Sequence, residues 1–94
     1  MPGAGPEELA RRYVGNLDHA FSTLKAHFRR EGGRVREEDV AYVLDLARRY
    51  HEDARRFLQE GRAITSIVAS SYAEGLLDAL RFLGLISLEW PDRS

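Results

Sequence analysis

Residues 62–85 read RAITSIVASSYAEGLLDALRFLGL, the most apolar run of the chain. Wound at 100° per residue, Ile64, Val68, Tyr72, Gly75, Leu76, Ala79, Leu80, Phe82 and Leu83 cover an apolar arc of roughly half the circumference, wider than the ~100° stripe of a surface helix. So wide an arc predicts a helix packed against two others. The opposite side carries Ser66, Ser70, Glu74, Asp78 and Arg81 as a narrow polar strip, into which Ile67 and Leu77 intrude. Glu74, Asp78 and Arg81 would each cost about 2.5–3.5 kcal/mol near a bilayer centre, so the segment reads as a core helix rather than a membrane span.

Toward the N-terminus, Gly61 leaves only about two residues before the preceding helix, and so short a connection predicts an antiparallel hairpin. That preceding helix is expected over residues 37–60. Val40, Val43, Leu44, Ala47, Tyr50, Ala54, Phe57 and Leu58 recur at three and four, and Glu37, Glu38 and Asp39 suit the positive end of its dipole. Further upstream, Gly5, Pro6, Glu7 and Glu8 mark a helix start. The stripe from Leu9 through Val14, Leu17 and Phe21 to Phe28, closed by Gly32 and Gly33, predicts a first helix over 6–31. Residues 1–5 read as a loose lead. Past Gly84, which ends the third helix (62–84), Leu85, Ile86, Leu88 and Trp90 are expected to fold back as a hydrophobic cap within 85–94. No stretch alternates as a strand does. The expectation is one domain, all-α, a three-helix up-down-up antiparallel bundle.

The 94 residues are 31% charged and 44% apolar, the balance of a globular protein, with a net charge of −1 that gives no global attraction for nucleic acid. Cysteine is absent, which excludes disulfides and thiolate metal sites. No basic stretch followed by an apolar one opens the chain, so a cytoplasmic protein is expected. Lys25, Arg29, Arg30, Arg34 and Arg36 form a local basic cluster without interleaved aromatics, which reads as a solvated helix end. His19, His27 and His51 lack metal-ligand spacing, and neither a metal nor a cofactor is expected. The spacing of Arg12 and His19 matches a nuclease pattern only by chance.

The run YHEDARRFLQEGRAITSIVASSYAEGLLDALRFLGLI, residues 50–86, places a tyrosine and Asp53-Ala54 on one helix and Phe57-Leu58 with Gly61 at the hairpin. Tyr72-Ala73, Gly75-Leu76-Leu77-Asp78-Ala79 and Leu83-Gly84 follow. This pattern resembles an archaeal family known as domain of unknown function 357. Glu74 stands where many members carry histidine. The resemblance implies a closed three-helix bundle in an archaeal cytosol, and it implies no activity.

Two function classes follow. The leading one is a noncatalytic module that forms a homodimer or docks on a protein partner through Ile67, Leu77, Leu88 and Trp90, the apolar residues expected at the surface. The alternative is a small ligand-binding protein or enzyme. There Tyr50, Asp53, Tyr72, Glu74 and Asp78 would line a polar groove whose carboxylates act as acid or base, while the structural reading makes them hydrogen-bond acceptors that set helix register. No residue is singled out as catalytic.

Overall fold

The structure, a computed structural model, describes residues 5–27 and 35–91. Three helices make up the frame: α1 (Pro6–Thr23), α2 (Glu37–Gln59) and α3 (Ala63–Phe82). The chain is thus all-α in character, a three-helix bundle in which α3 packs against both other helices and most extensively against α2.

The glycine signals act as their chemistry requires. Gly61 and Gly84 both adopt positive φ, 77° and 75°. At the hairpin the Arg62 N–H donates to the Phe57 carbonyl and the Gly61 N–H to that of Leu58. The Leu85 and Gly84 N–H groups repeat the pattern on Leu80 and Arg81 at the end of α3. Each pair of bonds satisfies carbonyls that the helix end leaves open. At the start of α2, the Asp39 carboxylate accepts from the Arg36 backbone N–H at 3.1 Å. The Arg36 guanidinium holds that carboxyl below the usual carboxylate range, so a weak N-cap residue is compensated from three positions downstream.

α1 is shorter than expected. It stops at Thr23, and Leu24 is extended. Lys25–Ala26 (β1) pairs antiparallel with Ile86–Ser87 (β2), a two-residue ladder that the His27 N–H extends to the Leu85 carbonyl at 2.8 Å. The physical reason is competition for backbone groups: the Ser22 and Thr23 hydroxyls donate back to carbonyls of His19 and Ala20, and Thr23 Oγ1 accepts from the Glu89 N–H. The returning C-terminal segment therefore draws the chain out of its helix. The cap expected at Gly32 and Gly33, and the basic residues Arg29, Arg30 and Arg34, lie outside the described residues.

The larger correction concerns which side of α3 is inside. Its buried residues are Ser66, Ala69, Ser70, Ala73, Leu77 and Leu80: two serines of the strip read as polar, the Leu77 that intrudes on it, the two alanines between, and, of the expected apolar arc, Leu80. Ile64, Val68, Tyr72, Phe82 and Leu83, expected in the core, are 52–73% exposed. Small side chains explain the reversal. Ser66 and Ala73 let the helices approach closely, the Ser66 hydroxyl donates to the Ala54 carbonyl at 2.7 Å, and Leu77 fills the space beyond. Leu77 is fully buried and Trp90 is 8% exposed, so neither forms a surface patch; Ile67 and Leu88 are half-buried. The described residues form a slab only 16 Å in its shortest dimension and 53 Å in its longest, so no second layer covers the outer face of α3.

This orientation is measurable by chemical denaturation. Leu77→Ala should destabilise the chain by about 2–5 kcal/mol, the cost of emptying a fully buried leucine site. Ile64→Ala should change stability by no more than about 0.5 kcal/mol. Similar losses at both positions would mean that α3 faces the other way.

Candidate functional site

The seven exposed positions of α3 are Ile64, Val68, Ser71, Tyr72, Gly75, Ala79 and Phe82, and none is charged. Leu83 continues the surface at the C-cap. The exposed side of α2 is built quite differently: beside Ala41, Tyr42 and Gln59 it carries eight charged residues, Glu37, Glu38, Asp45, Arg48, Arg49, Glu52, Arg55 and Arg56. A solvated helix face normally looks like that of α2. On α3 the sequence places large apolar groups along about 30 Å of helix at 1.5 Å per residue, with no charged residue among its exposed positions. Two ring contacts support its edges. Tyr72 stacks on Tyr50 with centroids 4.3 Å apart, and the Arg81 guanidinium lies 4.7 Å above the Phe82 ring.

Of the residues read as a polar groove, Tyr50 and Tyr72 come together and the two aspartates do not. Tyr50 beside Tyr72, with Ala54 beside Ser66, fixes the hairpin register. Asp53 is then level with Ala69, and Asp78 with Leu44, which separates the carboxylates by roughly 14 Å along the axis. Asp53 pairs with Arg56 at 3.4 Å. The Asp78 carboxylate accepts from the Trp90 indole N–H at 2.9 Å and from Arg81 at 3.2 Å. Glu74 is half-buried one turn before Asp78. Asp78 is therefore a hydrogen-bond acceptor, with donors on its own helix and on the C-terminal segment. Among the described residues no group of three or more His, Asp or Glu side chains is placed to hold a metal ion.

A model of the family described as protein of unknown function (DUF357) matches residues 12–86. The chain belongs to DUF357. No curated protein and no solved structure shows a significant match. In this DUF357 chain the matched span covers most of α1, all of α2 and α3, and β2 as far as Ile86, so it contains the whole uncharged face.

One polar cluster escaped the sequence reading. Between α1 and α2, His51 is 8% exposed and its Nε2 lies 2.8 Å from Asp18 Oδ1, an oxygen that also accepts from Arg55. Phe21 stacks on the imidazole at 5.2 Å, with Arg48 4.8 Å above the other ring. Asp18, Phe21, Asp45, Arg48, His51 and Glu52 line an open cleft of about 290 Å³. The imidazole is also hydrogen-bonded to the backbone of Val14, so both of its polar edges are engaged within the fold. Burial pulls the His51 pKa below the usual imidazole value. The Asp18 carboxylate opposes that shift and Arg55 reinforces it, since the nearby guanidinium repels a positively charged imidazolium. The signal was present in the spacing: Ala47, His51 and Ala54 share one side of α2, and all three are buried.

Two measurements follow. Asp78→Ala strands the Trp90 N–H in a buried setting and should cost on the order of 1–3 kcal/mol, lowering the melting temperature by several degrees, whereas Asp78→Asn keeps an acceptor and should cost less. Equal losses would remove the hydrogen-bonding role. For His51, the unfolded chain binds more protons than the folded one between the lowered folded pKa and the ordinary value near 6.5, so its contribution to stability is complete above that value and declines as pH falls through this window. Melting curves across mildly acidic pH should show this decline in the native chain and a flatter profile in His51→Gln.

Proposed function

We propose that the chain is a noncatalytic self-association module that forms a homodimer by burying the outer face of α3 against a second copy. The observation that carries this reading is the uncharged, largely apolar composition of every exposed position of α3. Five large side chains exposed by half to three-quarters make a patch on the order of 500 Å², the size at which patches on soluble proteins are usually functional. Two such patches facing each other bury about 1,000 Å², the lower bound for a specific interface.

A second copy is the favoured occupant because like surfaces without charge present nothing that repels, and a patch that meets its own copy closes as a two-fold dimer. Association here replaces Leu77 and Trp90, which are committed to the core, with Val68 and its neighbours as the contact residues. A cytoplasmic setting belongs to the same proposal. It is supported by the absence of cysteine, and no described helix is long and apolar enough to cross a membrane.

Light scattering coupled to size exclusion at micromolar concentration provides the test. The native chain should elute with twice the chain mass and Val68→Glu with the mass of one chain, while the circular dichroism spectrum of the variant remains helical. A monomeric native chain, or an unchanged mass in Val68→Glu, would remove the proposal.

A further inference from the structure

Resting on that self-association reading, we infer that the two copies of α3 pair antiparallel, with the two-fold axis passing between Ala73 and Glu74. Bulk along the outer face is unevenly placed. Val68 and Tyr72 are large and 64% and 52% exposed. Gly75 and Ala79, one and two turns further on, are small, and nothing lies within 4 Å of the place a Gly75 Cβ would occupy. The face therefore projects at Val68 and Tyr72, has an open recess at Gly75 and Ala79, and projects again at Phe82 and Leu83.

An antiparallel pair centred between Ala73 and Glu74 sets the projections at Val68 and Tyr72 against the recess. Residues whose numbers add to 147 then stand level, which places Tyr72 at Gly75, Val68 at Ala79 and Ile64 at Leu83 of the other copy. Tyr72 already leans on Tyr50 with a 4.3 Å ring stack, so its ring is held in one place as it enters the recess. In a parallel pair, Val68 would meet Val68 and Tyr72 would meet Tyr72, while Gly75 and Ala79 would face their own copies across a void. Close-packed interfaces avoid such voids because the lining atoms lose their contacts. Helix dipoles favour the same choice, since each α3 N-terminus lies beside the C-terminus of the other. The arrangement turns two slabs, each 16 Å in its shortest dimension, into a two-layer particle with both α3 helices inside.

The chain has no cysteine, so single cysteines introduced on this face report the pairing without background. Val68→Cys and Ala79→Cys chains, both changed at exposed positions, are mixed and oxidised, and the disulfide-linked species are identified by mass. Disulfides between unlike chains should predominate. Like chains should link poorly, since two Val68 positions would be about 16 Å apart along the axis, beyond the ~7 Å that a disulfide spans. Gly75→Leu fills the recess and should weaken the native dimer at least tenfold, while its monomer melts no lower than before. Like-position disulfides in a dimer overturn the antiparallel register and leave self-association standing. Dimers that form no disulfide, or a Gly75→Leu dimer as tight as the native one, also overturn the register. A native chain that sediments as a monomer overturns both readings.

Discussion

Ser66 and Ala73 are wholly buried on the inner side of α3, and the Ser66 hydroxyl donates to the Ala54 carbonyl of α2 at 2.7 Å. Side chains this small bring helix axes toward the near end of the ~8–10 Å range. The other packing depends on that approach. It aligns Tyr50 with Tyr72 and leaves Leu77 as the residue that fills the core where Val40, Ala47 and Leu17 converge. The Schellman bonds around Gly61 make the approach available by returning the chain within one tight turn. Ser70 lies on the same inner side, and its hydroxyl is buried without a hydrogen-bond partner among the described residues. It is a polar cost accepted for a small side chain, since a larger apolar one would hold the helices apart.

Turning the small face inward has a consequence on the other side. α3 carries apolar side chains on both of its sides, so packing one leaves the other in water, and the side that remains includes Ile64, Val68, Tyr72 and Phe82. A third layer within the same chain would cover it. None exists among the described residues, and the C-terminal segment is committed elsewhere: Ile86 and Trp90 bury themselves against the end of α1 and α3, and Asp78 holds the indole in place. Asp78 also holds Arg81, whose guanidinium covers part of the Phe82 ring, so the hydrogen-bonded tail and the exposed face are joined through one carboxylate. The polar contact between α1 and α2 is similarly local. His51, Asp18 and Arg55 satisfy one another across the two helices.

The number and order of the helices, and the ends of α2 and α3, were legible in the residues themselves. Apolar spacing at three and four, the acidic first turns, and glycines that alone adopt positive φ without strain are local determinants, and they act wherever the helices later pack. The boundaries of α2 and α3 follow from them within about two residues. Membership of DUF357 was legible for the same reason, since its pattern runs along the hairpin. What depended on distant contact was the end of α1, which yields to a ladder with residues about sixty positions away, and the partnership of Asp78 with Trp90. Only tertiary structure could decide which face of α3 lies inside. Hydrophobicity around that helix is nearly balanced, so the choice falls to shape: Ser66, Ala69, Ser70 and Ala73 permit close approach, and Ile64, Val68 and Tyr72 do not, a difference that exists only when a second helix is present to be approached.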